Sequence, residues 1–324
     1  MEANMTKKIL LVLGTLVLAG GLGAPAYGWN NFGHMAVAYV AYQQLTPASK
    51  ARVDALLQLN PDYQNWMMMI PEDASPSDKQ MMVFLIAATW PDGIKGEYQY
   101  SDDGTNSGNT PDGAPSSQNT GYRDLLRHKY WHFVDTPFTS DGSALPAIPT
   151  PNAQERIALF RGVLASTGDD KLKSYDLAWL LHLVGDVHQP LHCATRVSST
   201  DPGGDSGGNK EKLKCAGCAA HLHTFWDGLF GSGATPQAVI QPVIKAAKKL
   251  PAPDAGLAAK SDEKDWIAES FQAAQNTVYQ PPVVAGNGPF TLTSAYKSKA
   301  KTLAKQRIAL AGARLANLIN TELK

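Results

Sequence analysis

Two histidine–aspartate pairs in this chain share one spacing. His182-Leu183-Val184-Gly185-Asp186 and His223-Thr224-Phe225-Trp226-Asp227 each place an imidazole four residues before a carboxylate. On a helix that spacing sets both side chains on one face, a turn apart. Imidazole nitrogen and carboxylate oxygen are the ligands zinc takes where thiolate is absent. One such pair is more often a hydrogen-bonded structural pair. Three further features turn the reading toward metal. His192 stands just beyond Gln189-Pro190-Leu191, Asp92 lies in Trp90-Pro91-Asp92, and His132 lies in Trp131-His132-Phe133-Val134-Asp135.

The start of the chain bears on the same chemistry. Lys7 and Lys8, an apolar run from Ile9 to Ala19, and Ala26-Tyr27-Gly28 predict a secretory leader over residues 1–28. The run is shorter than the roughly 20 residues a membrane span takes. Cleavage after Gly28 makes Trp29 the first residue of an exported chain, in the periplasm or the medium. A terminal amine has a pKa of about 8. A metal deprotonates it readily, and it can chelate together with its own carbonyl oxygen. His34 follows at the start of a helix expected to run to Tyr42. Taken alone, Trp29 reads as a buried aromatic near a terminus.

The elements that must position these residues are helices. Thr46-Pro47 and Thr235-Pro236 are caps followed by proline at the first helical position. Val53, Leu56 and Leu57 give the first of these an apolar face. Ser77 to Thr89 carries an apolar run and stops at Pro91. Ile157, Phe160 and Leu164 fall at helical spacing, and Tyr175 to His188 is a helix ended by Pro190. Ala304, Ile308, Ala311, Leu315 and Leu318 define one long final helix. No repeat or domain break interrupts residues 29–324, so the expectation is one all-α domain. Residues 101–120 read as a polar surface insertion. The Gly-rich 201–210 lacks the GK[ST] of a phosphate-binding loop. Met67-Met68-Met69 reads as core or lid packing.

Composition removes some options. Lys plus Arg and Asp plus Glu both number 29, so the whole-chain charge announces neither nucleic acid nor an anionic membrane. Positive charge for a polyanion would then come from metal or a few local side chains. Cys193, Cys215 and Cys218 permit one disulfide, either local or from Cys193 to one of the pair. A Cys-type zinc site would need a second pair. No N-glycosylation sequon follows Gly28.

Taken in order from Trp29 to Asp227, WNNFGH, WPDGIK, WHFVD, HLVGDVHQPLH and HLHTFWD resemble the zinc-dependent single-strand nucleases of fungi and the bifunctional nucleases of plants, which share a fold with bacterial zinc phospholipase C. Trp266-Ile267-Ala268-Glu269-Ser270 is a weaker echo. The resemblance implies a single, mostly helical domain and three zinc ions. One takes Asp92, His132, His182 and Asp186. A second takes the amine and carbonyl of Trp29, His34 and Asp186, so that Asp186 bridges. The third takes His192, His223 and Asp227. His128, His188 and His221 are left as supporting or surface groups.

The resemblance further implies that Lys95 neutralises phosphate charge, that Phe133 and Asp135 stack and bond a base, and that Asn209 lies near the substrate. Single-stranded RNA and DNA would be cut to 5′-phosphate products, and 3′-mononucleotides would be hydrolysed. No protein partner is implied. Zinc lowers the pKa of bound water toward about 7, which suits in-line attack on phosphorus with Asp92 orienting the nucleophile. Two departures stand out: the 101–120 insertion is long for the family, and the cysteine pattern differs from the fungal one. The rival is a phospholipase C acting on lipid head groups. Those enzymes carry Glu at the last ligand position, where Asp227 stands, and space their first histidine further from the terminal tryptophan. A non-catalytic structural zinc protein fits less well, because a structural site is closed by protein ligands.

Overall fold

The computed structural model describes residues 28–103, 118–215, 218–233, 235–284 and 286–323. Among them are twelve α-helices and a single two-stranded sheet. The helices are α1 (Asn31–Gln44), α2 (Pro47–Leu57), α3 (Tyr63–Met68), α4 (Pro76–Ala87), α5 (Trp90–Gly93), α6 (Ala153–Ala165), α7 (Asp170–Asp186), α8 (Leu222–Asp227), α9 (Pro236–Ala247), α10 (Ala255–Ala258), α11 (Glu263–Ala273) and α12 (Ser294–Glu322). Strands β1 (Pro137–Thr139) and β2 (Thr195–Val197) pair in parallel. The all-α expectation holds.

The helices start where the side chains can satisfy their first amides. Asn30, Thr46, Ser75, Asp169, Thr235 and Thr293 each accept a bond from a backbone N–H in the first turn. Asn152 and Glu155 close a reciprocal capping box on α6. Losing one such cap costs about 1 kcal/mol. Pro91 does not end the preceding helix; α4 stops at Ala87, and Pro91 opens the short α5 instead. The helix expected from Tyr175 begins earlier, at the Asp169 cap.

Burial decides which helices are central. From Lys173 to Asp186 every residue of α7 is buried, so α7 is wrapped on all sides. Helix α1 is buried from Phe32 to Tyr39. Helix α12 packs along α1 and α7, α6 along α7, and α4 and α9 against α1. The C-terminal end of α7 thereby meets the N-terminal end of α1, where His34 and Asp186 approach to 3.3 Å.

Three expectations are refined. Met67 and Met69 pack against the core, but Met68 is 74% exposed. Of the 101–120 insertion, residues 104–117 lie outside the described residues. Its end does more than cover surface, because the Asn119 amide donates to both oxygens of the buried Asp176 at 2.9 Å. Cys215 and Cys218 form the disulfide, and Cys193 is a buried free thiol.

Candidate metal centre

Asp92 is fixed through its neighbour. The Trp90 ring meets the rings of Tyr100, Tyr122, Tyr175 and Trp179 edge-on, with centroids 5.9–6.4 Å apart. Its Nε1–H donates to Asp62 at 2.7 Å. Asp92 then projects inward from α5. Lys95, one short turn on, donates from Nζ to Asp92 Oδ1 at 2.7 Å, and both side chains are buried. Burial alone would raise the Asp92 carboxyl, but Lys95, His182 and His132 outweigh it and hold the group down to about 2.

His132 ends a tight turn, Lys129–His132, that begins at His128 in the left-handed region. The His128 ring lies flat on Trp131, 3.5 Å between centroids, and bonds Asp124 and Asp103. It is a buried anchor, not a surface group. His188 is buried too, with Nε2 2.9 Å from Arg314.

The ligand atoms converge. His132 Nδ1 and His182 Nε2 lie 3.0 and 3.1 Å from Asp186 Oδ2, while His34 Nε2 lies 3.3 Å from Asp186 Oδ1. The two oxygens of Asp186 thus face different imidazole sets. His182 Nε2 and His132 Nδ1 are also 3.6 and 3.8 Å from Asp92 Oδ1. Apart from these stand His192 and His223, 3.1 Å apart at Nε2, with Asp227 Oδ2 3.6 Å from His223. Three groups, His34/His182/Asp186, Asp92/His132/His182 and His192/His223/Asp227, each gather their ligand atoms within 4.8 Å. Ligands on one zinc, each at about 2.0–2.2 Å, lie roughly 3–4 Å from one another.

Hydrogen bonds orient these rings. His182 Nδ1 bonds Ala88 O at 2.8 Å, His192 Nδ1 bonds His132 O at 2.7 Å, and His223 Nδ1 bonds Gly207 O at 2.7 Å. A carbonyl only accepts, so Nδ1 carries a proton and Nε2 is the atom turned toward the cluster. Burial, reinforced by His182, lowers the His34 pKa to about 4; burial and Lys95 lower His132 to about 3. Both rings are therefore neutral at neutral pH, the form that ligates. Burial works against ionised Asp186, but His182 and His192 prevail and keep it far below the usual carboxylate range. Burial pushes Asp227 well up, with Asp92 and Asp186 adding to it. A divalent ion there reverses that balance. Asp92 Oδ2 is buried and bonds no described residue. The donor set fits metal.

Beside the third group, Phe133, Asp135 and Asn209 line one pocket with Leu191, Ser206, Gly207 and His223. Gly207, at φ +59°, has no room for a Cβ beside Leu191 O, which lets its own carbonyl reach His223. Burial and Asp205 push the Asp135 carboxyl up to about 7. All the expected side chains of the site are buried or half-buried around this one region, with Trp29 buried beside His34.

Several supporting groups were not anticipated. Gln189 donates to Asp227 Oδ1 at 2.8 Å and accepts from Leu191 N–H. Under the pocket, Asp205 accepts from Arg196 N–H and Tyr279 O–H, and Arg196 bonds Glu211. Ser270 donates to Val187 O, and Arg307 donates to His188 O and Ser270. The echo at Trp266–Ser270 is thus a brace behind the turn that carries Asp186 and His192.

Clustered imidazoles and carboxylates at helix ends in an all-α domain define the class. The model of the S1/P1 Nuclease family matches residues 29–324, and the chain belongs to that metal-dependent family. Among individual proteins it is similar to Nuclease S1 of Aspergillus oryzae, 24% identical over 223 residues. The aligned part is 67% of this chain and 59% of that protein, so under two thirds of the relative's length is matched.

Proposed function

We propose that this protein is an exported zinc-dependent phosphodiesterase that cuts single-stranded RNA and DNA to 5′-phosphate products and also hydrolyses 3′-mononucleotides. The observation that carries this is the placement of the Phe133/Asp135/Asn209 pocket directly against His223, within a centre whose Asp186 faces two imidazole sets. Three zinc ions would be held by Asp92, His132, His182 and Asp186; by Trp29, His34 and Asp186; and by His192, His223 and Asp227. When bound, zinc supplies a water acidic enough to act as nucleophile at neutral pH and polarises the phosphoryl oxygens.

The protein's own groups do the rest. Asp92, ionised and aligned by Lys95, orients the attacking water through its free oxygen. Lys95 faces the charge that builds on the phosphoryl oxygens. Phe133 offers a stacking face, and Asp135 and Asn209 offer hydrogen bonds to a base edge. A base must leave its duplex to use that face, which favours single strands.

Residues 1–28 are removed. Gly28 supports this placement of the cut, because a Cβ there would overlap Asp186 Oδ1 and stand 3.1 Å from His34 Nε2. Breaking the 28–29 bond leaves the Trp29 amine at that place. Among the described residues, no helix is long and apolar enough to cross a membrane.

The deciding experiment assays heat-denatured DNA beside phosphatidylcholine, with zinc counted per chain. Hydrolysis of the lipid alone would transfer the site to head-group chemistry; hydrolysis of neither with metal bound would end the enzymatic reading. Lys95→Ala should lower kcat about 10²- to 10³-fold while the zinc count stays constant. Phe133→Ala should raise KM for oligonucleotides by about 10-fold, as stacking is worth about 1–3 kcal/mol per base, and leave kcat nearly unchanged.

A further inference from the structure

The balanced charge of the whole chain conceals a segregated one. No Asp or Glu occurs between Glu269 and Glu322, while Lys297, Lys299, Lys301 and Lys305 crowd the first half of α12. Lys297, Lys301 and Lys305 are spaced by four and form one stripe beside the buried stripe of Tyr296, Ala300 and Ala304. Lys297 and Lys301 are exposed and Lys305 half-exposed. None of the three makes an ion pair with a described carboxylate. Like charges at this spacing weaken a helix by a few tenths of a kcal/mol per pair, and cations near a helix N-terminus oppose its dipole. Two local rules are broken together, which marks a surface shaped by something other than stability.

Two further lysines lie on the chain path between the base pocket and this stripe. From Asn209, in the pocket, the chain runs through Lys212 and Lys214, both exposed and without an ion pair among the described residues. Lys212 N–H donates to Asn287 O and Lys214 N–H to Phe290 O, so this segment lies against the one that leads into α12. At the start of α12 the Tyr296 hydroxyl accepts from Trp226 Nε1–H, next to the ligand Asp227. The path from the pocket through residues 212–214 and the segment paired with them to the start of α12 therefore carries five lysines.

We propose that Lys212, Lys214, Lys297, Lys301 and Lys305 form a cationic track that holds the phosphates of a single strand running out from the base pocket. The proposal rests on the nuclease reading and extends it from one nucleotide to the strand beyond it. The flexible ammonium stems suit phosphates without reading sequence. The track acts on affinity for long substrates and leaves the bond-breaking step alone.

The test replaces all five by Gln, with Lys297/Lys301/Lys305 and Lys212/Lys214 also changed as separate sets, and confirms folding by thermal melts. Each phosphate contact on a single strand contributes about −0.7 to the slope of log affinity against log salt, so the magnitude of the slope for a strand of about 20 nucleotides should fall by about 3.5 in the fivefold variant. Hydrolysis of a 3′-mononucleotide should keep its kcat and KM. Changing Lys245, Lys248 and Lys249 on and just after α9 should move the slope far less. Binding is also read by fluorescence anisotropy in zinc-loaded Lys95→Ala protein, so it does not depend on turnover. An unchanged slope, an equal loss in the α9 set, or loss of binding to phosphatidylserine vesicles with strand affinity intact would each overturn the track. If the native chain hydrolyses neither strand nor mononucleotide, the nuclease reading fails by itself while the anisotropy still decides the track.

Discussion

Asp186→Asn is expected to lose zinc and turnover together, with turnover down by at least about 10³-fold. The substitution keeps the shape of the side chain and removes its charge. In the native chain, one oxygen faces His34 and the other faces His132 and His182. An amide offers one neutral oxygen and an NH2 that cannot ligate. Both metals proposed to share the group would be weakened at once, whereas His192, His223 and Asp227 keep their own cluster. Zinc per chain should therefore fall from about three toward one, since a ligand must be deprotonated and correctly charged to bind. A variant that retained three zincs and native turnover would remove Asp186 from its bridging place.

The second large effect concerns the first residue. A chain prepared to begin at Gly28 or earlier should turn over about 10² times more slowly than one beginning at Trp29, the loss expected when reacting groups are misplaced by about 1 Å. An amide nitrogen in a peptide bond has no lone pair to give, and Gly28 lies against Asp186 and His34. The zinc on Asp92, His132 and His182 should survive. N-terminal sequencing and zinc analysis on both preparations check this. Equal rates with equal metal would show that Trp29 serves only as a buried aromatic.

The sequence exposed the parts of this molecule whose partners are close along the chain. Caps precede their helices by one residue, and His182 and Asp186 share a turn, so both were legible. The motif order brought Trp29, His34, Asp92, His132, His192, His223 and Asp227 into one expected region, and the fold gathers them there. What stayed hidden depends on distant pairs. Gln189 meets Asp227, Arg307 meets His188 O, and Asn119 meets Asp176 only after folding. A polar residue bound for burial looks the same in sequence as one bound for solvent. For the same reason His128 and His188 read as leftovers, although each is buried and bonded. The lysines of α12 leave no mark on the net charge, because a sum over the chain carries no information about position.

The packing of α12 on α1 has a consequence for biogenesis. These two helices stand at opposite ends of the described chain, yet they make the most extensive helix–helix contact in it. Asn320 even bonds Gln44 and Thr46 across that seam. Such a topology cannot close until α12 has emerged, because non-local contacts form late. In an exported chain of this kind, α1 would lack its main packing partner until α12 had also crossed. The cluster that α1 helps to build would then be completed outside the cytosol, where a nuclease would spare the cell's own nucleic acids.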